Sequence, residues 1–487
     1  MNRYRSITSL LQLTLALFIF GLSYADAQDK AASEAPAEPK RPVIIIPGVT
    51  GSTIVSSDTG KTVWFTFGFS RDEPDDLRLP ITANLRANRD TLVASDIIRE
   101  VKLPGILKVL PEIGVYGDAL AGLRKAGYEE GDWNKPKASD VYYVFAYDWR
   151  RDNVESAQLL IHKIEALKAK LGRPDLKFDI LAHSMGGLVA NYAARFGAAD
   201  LPARGTPRVT WAGARHINRI LMFGVPNLGS FSAFEVLTRG YSIAGRKLPW
   251  VTDLGPDDVF SIPALYQLLP SGPDVKFFDG DLKPLKVDIF DAANWVRYRW
   301  GAIADPKFLG KLRDAGTIPG VKPIEWKKRN HDDELLAATT YRGASAFLAA
   351  ALSRARQFSA AINGPVDSSP VEMLVYGSEC EPTLNAAILM RNGKDDKWTT
   401  LTQPEKIKRP AGGEFSRDEV AKVMFASGDG RVTRDSLLPV VLSRPLFPVS
   451  IKFFACAEHQ KLMNDQTIAG TYLALLTGRP APASTQK

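Results

Sequence analysis

Between residues 177 and 196 the chain passes from one regular structure to another with almost no room to turn. Lys177 to Leu181 is a strand-like run, Leu188 to Phe196 reads as a helix, and only Ala182-His183-Ser184-Met185-Gly186-Gly187 lies between them. A strand that feeds a helix through so short a turn strains the residue at its apex, here Ser184, and projects its hydroxyl from the carboxyl edge of a sheet. Strand and helix then pack closely, which requires small residues two positions to either side. Gly186 meets that requirement, and Ala182 exceeds a glycine by one methyl group. The bland alternative is a chance serine in a tight turn; the flanking strand and helix favour a nucleophile.

The neighbouring segments supply the rest of such a sheet. Val43 to Ile46 is a continuous β-branched run ending at Pro47-Gly48, the pattern of a strand buried on both faces. Val141 to Tyr147 and Ile217 to Val225 read as further strands. From Val154 to Leu171 the apolar residues Ala157, Leu160, Ile161, Ile164, Leu167 and Leu171 keep helical spacing, with charged residues on other faces. Strand, helix and strand in succession predict a parallel sheet with right-handed crossovers. The alternation lapses from Gly229 to about Pro370, apart from an amphipathic helix at Ala344 to Ile362, and resumes with strands at Val371 to Gly377 and Val449 to Ala455.

A serine hydroxyl attacks an ester only when a base takes its proton, and with this elbow the partners follow in the order serine, acid, histidine. Only five histidines are present. His162 lies opposite a helix's apolar stripe, His183 is locked beside the serine, His216 opens a strand, and His331 precedes the later strands. His459 alone follows a late strand at the edge where the serine emerges, so it is the expected base. The acid must lie between Val371 and His459. Asp429, in Gly428-Asp429-Gly430-Arg431-Val432, is preferred because its two glycines allow a close loop; Glu379, just past its strand, is the runner-up, and a plain turn aspartate is the alternative. The oxyanion of an acyl intermediate needs two amide donors. Met185, after the nucleophile, offers one, and the loop Pro47 to Ser52 leaves its strand at the correct edge to offer another.

Taken together, Pro47-Gly48-Val49-Thr50-Gly51-Ser52, Tyr147-Asp148-Trp149-Arg150, the Ala182 to Gly187 elbow, the Gly428 to Val432 loop and His459-x-x-Leu462-Met463 resemble the lecithin:cholesterol acyltransferase family, which includes lysosomal phospholipases. The order and spacing agree across most of the chain. The resemblance implies an α/β-hydrolase fold: a mostly parallel sheet with helices on both faces, a cap insertion at about 229–370 and an insertion after the first strand at about 53–114. It implies that Thr50 supplies the second oxyanion amide and that Ser184, Asp429 and His459 form the triad. The activity it implies is O-acyl transfer or phospholipase action on lipid esters through an acyl-enzyme, without cofactor or metal. The family's mammalian members carry a disulfide in the first insertion, where this chain has no cysteine. From the residues alone, Asp148 and Arg150 are expected to form a structural ion pair beneath the site.

Of the 487 residues, a minimal fold of this type requires roughly half. Arg3 and Arg5, the apolar stretch Ile7 to Leu22 and Ala25-Asp26-Ala27 match an export signal cut after Ala27; a retained anchor is the alternative. Residues 28–42 read as a linker, 43–480 as the catalytic domain and 481–487 as a tail. In an oxidising compartment the two cysteines, Cys380 and Cys456, each at the end of a strand-like run, form a disulfide or remain as buried thiols. The net charge of +8 is scattered, with no basic run of the kind that grips nucleic acid. In the insertions, Trp64 to Phe69 is a half-buried strand or an aromatic lip. Trp295 to Trp300 and Trp326 to Arg329 mix rings with cations, which suits either an anionic lipid surface or a solvated cap.

The leading expectation is an exported, serine-dependent lipid acyltransferase or phospholipase whose partner is a lipid at a membrane surface, with no stable protein partner implied. A general esterase without phospholipid preference, and an inactive envelope lipid-binding module, are the alternatives.

Overall fold

The computed structural model describes residues 40–66, 77–100, 116–137, 141–241, 254–272, 275–305, 308, 332–392, 397–441, 444–445 and 447–479. The chain divides into Met1–Lys40 and Arg41–Lys487. The expected signal, all but the last three residues of the expected linker, and the tail lie outside the described residues. No helix among the described residues is long and apolar enough to cross a membrane.

Seven strands make the central sheet: β1 (Val43–Ile46), β2 (Glu129–Glu130), β3 (Val141–Val144), β4 (Phe178–His183), β5 (Ile217–Phe223), β6 (Glu372–Gly377) and β7 (Ile451–Phe454). Their order is β7-β6-β5-β4-β1-β3-β2, and every neighbouring pair is parallel. The unbroken apolar runs follow from this position, because successive residues feed opposite faces. Val43, Ile45, Leu181 and Leu221 enter one core, and Ile44, Ile46, Ile180 and Ile220 enter the other.

The labelled helices are α1 (Gly117–Lys125), α2 (Asn153–Leu171), α3 (Met185–Phe196), α4 (Phe231–Arg239), α5 (Asp332–Ile362) and α6 (Gln466–Leu476). Leu120 and Leu123 of α1 and Ile468 and Tyr472 of α6 cover the first face; α2, α3 and α5 cover the second. The Asp152 carboxylate caps α2 by accepting from the Val154 amide, and Glu155 and Lys170 sit at the ends that the helix dipole favours. The fold class expected from the alternation is the one observed, although the strand begun at Val141 stops at Val144 and the helix ending at Ile362 begins at Asp332.

The first insertion contains a three-stranded antiparallel sheet of Ser52–Ser56, Thr62–Trp64 and Leu92–Ile97. Trp64 is wholly buried there, so at this residue the aromatic stretch is core; Phe67 to Phe69 lie outside the described residues. The cap does not end at Pro370. Ala386–Asn392 pairs in parallel with Lys276–Asp279, and with Pro284–Leu285 and Lys397–Leu401 they form one four-stranded sheet. After β6 the chain therefore leaves the core, completes the cap, and returns only at β7. Within the cap, Trp295 and Trp300 are buried beside Phe234 and Phe277, with Trp300 stacked on Phe277 at 5.3 Å, while Arg297 and Arg299 are exposed. Those rings pack the cap and are not presented to lipid. Trp326 to Arg329 lie outside the described residues.

Candidate active site

β4 ends at His183, α3 begins at Met185, and Ser184 between them has φ 52° and ψ −126°. A non-glycine residue holds such a backbone only where its surroundings impose it. Here α3 is pressed against the end of β1. A Cβ at Gly186 would stand 2.4 Å from the Pro47 carbonyl oxygen and 2.7 Å from that of Ile46, so no larger residue fits.

The residues selected from the sequence converge on that serine. His459 Nε2 is 2.9 Å from Ser184 Oγ, and His459 Nδ1 is 2.8 Å from Asp429 Oδ2. Asp429 is held from its other side: the amides of Arg431 and Val432 donate to Oδ1 at 3.0 and 2.7 Å. The His459 amide also donates to the Asp429 carbonyl at 2.9 Å, so acid and base are joined through both backbone and side chain. Ser184, Asp429 and His459 are all buried. Glu379, the other acid considered, is exposed and ion-paired with Arg434 at 2.9 Å.

The loop after β1 turns tightly beside the serine. The Gly51 amide donates to the Gly48 carbonyl at 3.1 Å, and Thr50 inside that turn has φ 61°. The Trp64 indole N–H donates to the Thr50 carbonyl at 2.9 Å. Met185 is the first residue of α3, where amides have no partner within the helix. Thr50, Ser184 and His459 line one cavity of about 110 Å³ that opens to solvent. Its walls are mostly apolar, with Val49, Trp149, Val236, Leu254, Leu265 and Leu268 among them, and its polar members include Tyr116, His183, Ser230, Ser232, Arg431 and Gln460. Val236 belongs to α4, so part of the cap contributes to the cavity wall.

Three surrounding features complete the geometry. Arg150, wholly buried, binds Asp148 at 2.8 Å as expected, and also Asp90 at 2.6 Å, a partner that nothing in the sequence marks. Burial works against its charge, but the two carboxylates hold its pKa above the usual arginine value. Cys380 and Cys456 form a disulfide with their Cα atoms 5.4 Å apart. His183 is more than a neighbour of the serine: its Nδ1 lies 3.0 Å from Tyr116 Oη and its Nε2 2.9 Å from the His459 carbonyl. Burial, with the nearby His459 adding to it, lowers the His183 pKa to about 3 and keeps the ring neutral.

A parallel sheet with a serine at a strand-to-helix elbow and a histidine beyond the last strand defines an α/β hydrolase. Residues 112–345 match the family model for lecithin:cholesterol acyltransferase. The chain is thus an acyltransferase or carboxylic-ester hydrolase acting on lipid acyl esters. A chain in the crystal structure of the Tle4-Tli4 complex superposes with a TM-score of 0.53 at 16% identity, over 91% of this chain and 98% of that one, a likeness of fold. The crystal structure of Bacillus licheniformis lipase BlEst2 in its propeptide form aligns over 93% of this chain and 54% of that one, at 12% identity and a TM-score of 0.32. No curated protein matches the chain.

Proposed function

We propose that the chain is an exported serine O-acyltransferase or phospholipase that takes its acyl group from phospholipid at a membrane surface. The observation that carries this reading is the continuous hydrogen-bond path Asp429–His459–Ser184, which ends on a mostly apolar cavity. Apolar walls suit a fatty acyl chain, and Arg431 adds a cation suited to a phosphate. Export is supported by Arg3, Arg5, the apolar Ile7 to Leu22 and Ala25-Asp26-Ala27, and by a disulfide of the kind that persists outside the cytosol.

In this mechanism His459 Nε2 takes the Ser184 proton as Oγ attacks the ester carbonyl. Asp429, fixed by two backbone amides, keeps the other ring proton on Nδ1 and stabilises the imidazolium. The amides of Thr50 and Met185 bind the oxyanion. His459 then returns the proton to the departing alcohol, leaving an acyl group on Ser184. Water or a second alcohol, deprotonated by His459, releases that acyl group as acid or as a new ester.

Mature protein incubated with mixed phospholipid vesicles and a long-chain alcohol distinguishes the outcomes. Fatty acid or alcohol ester formed at the expense of phospholipid is the expected product. Turnover of short soluble esters with intact vesicles contradicts the phospholipid preference, and vesicle binding without any ester turnover contradicts catalysis.

A further inference from the structure

Tyr116 and His183 take no part in those steps, yet they fill the space between the segments that do. Tyr116 immediately precedes α1, Gly48 lies in the loop after β1, and His183 ends β4. The Gly48 amide donates to Tyr116 Oη at 2.8 Å, Tyr116 Oη lies 3.0 Å from His183 Nδ1, and His183 Nε2 lies 2.9 Å from the His459 carbonyl. The proton pattern along this array is fixed from one end. A carbonyl only accepts, so His183 carries its proton on Nε2; Nδ1 must then accept, and the Tyr116 hydroxyl donates to it. That leaves the phenol's lone pairs for the Gly48 amide. Tyr116 and His183 are 2% and 4% exposed, so loss of either leaves a buried polar group without its partner.

We infer that Tyr116 and His183 are positioning residues, forming a strut that holds the oxyanion loop in register with the general base. The inference rests on the acyl-transfer reading. Gly48 begins the turn that contains Thr50 and closes through the Gly51 amide, so anchoring the Gly48 amide fixes where the Thr50 amide stands. The other end of the strut grips the backbone of His459 itself. The path joins donor to base without passing through Ser184. An oxyanion donor acts on charge that develops only in the transition state, and its effect depends on placement within a fraction of an ångström. Misplacing Thr50 therefore lowers turnover and leaves ground-state acyl binding alone. Because His183 stays neutral down to about pH 3, the array keeps one proton arrangement across the range in which a histidine base works.

Tyr116→Phe removes the hydroxyl and keeps the ring. Its kcat should fall roughly ten- to a hundredfold with KM within about twofold of wild type. Affinity for an alkyl boronic acid, whose tetrahedral serine adduct places an oxygen on the oxyanion donors, should fall by the same factor. Affinity for the matching free fatty acid should not change. Should Tyr116→Phe not fold, His183→Asn carries the test with the same two ligands. That variant keeps an acceptor for Tyr116 and loses the bond to His459, and again kcat and boronate affinity should fall together. Unchanged kcat and boronate affinity in an active protein, or equal losses of boronate and fatty-acid affinity, overturn the strut. Wild-type protein that neither binds the boronate nor turns over ester overturns the acyl-transfer reading and the strut with it.

Discussion

Cys380 and Cys456 are bonded to each other where the supports of Asp429 and His459 leave the sheet. Cys380 directly precedes the strand Glu381–Leu384, which pairs with Phe425–Gly428, and that strand delivers Asp429. The Gly430 amide adds a bond to Thr383 Oγ1 at 2.8 Å. Cys456 follows β7, three residues before His459. The disulfide is thus a staple between the acid and the base, and both cysteines are exposed to solvent.

Reduction should therefore lower activity as well as stability. Cross-links of this span contribute roughly 2–4 kcal/mol. Dithiothreitol, or serine at both cysteine positions, is expected to lower the melting temperature by a few degrees and kcat several-fold. Equal activity and melting with and without reductant would show that the staple is idle.

Gly224, just past β5, faces the pair from the other side. Its φ is 57°, and a Cβ there would lie 2.9 Å from both Asp429 Oδ2 and His459 Nδ1 and 2.7 Å from Leu462 Cδ1. Gly224→Ala should wedge the two apart and lower kcat by at least about tenfold, with a smaller change in KM. Wild-type kcat in that variant would contradict the packing described for the triad.

The ease with which each site residue is found in the sequence follows its distance in the chain from what defines it. Ser184 is legible because strand, turn and helix are contiguous. His459 emerges because few histidines compete, and Asp429 because an acid must lie between β6 and the base. The Tyr116 array is hidden: its bonds join residues 68, 67 and 276 positions apart, and an isolated tyrosine before a helix carries no signal. Asp90 is hidden for the same reason, 60 positions from Arg150. The cap's boundary is misplaced because its sheet pairs Lys276–Asp279 with Ala386–Asn392 across an intervening core strand, and local pattern cannot show that pairing.

Acid should destabilise the fold through two histidines that the native state keeps neutral. Burial lowers His183 to about 3; burial, with Lys168 and Arg215 nearby, lowers His216 to about 4. An unfolded histidine binds its proton near pH 6.5. Below that value the unfolded chain takes up protons that the native chain refuses, so stability is greatest above about pH 6.5 and falls as pH drops toward 4 and then 3. His183, wholly buried, contributes at most about 1.4 kcal/mol per pH unit over its window, and His216 less. His216→Gln should flatten the decline of melting temperature between pH 6.5 and 4. An unchanged slope would assign the decline to other groups.

The most direct measurement concerns Ser184 itself. A fluorophosphonate probe should modify wild-type protein at Ser184, identified by mass spectrometry of the labelled peptide, and abolish ester turnover in step with labelling. Ser184→Ala should accept no label and show no turnover. Label and activity persisting in Ser184→Ala would contradict the assignment of the nucleophile and the acyl-enzyme mechanism built on it.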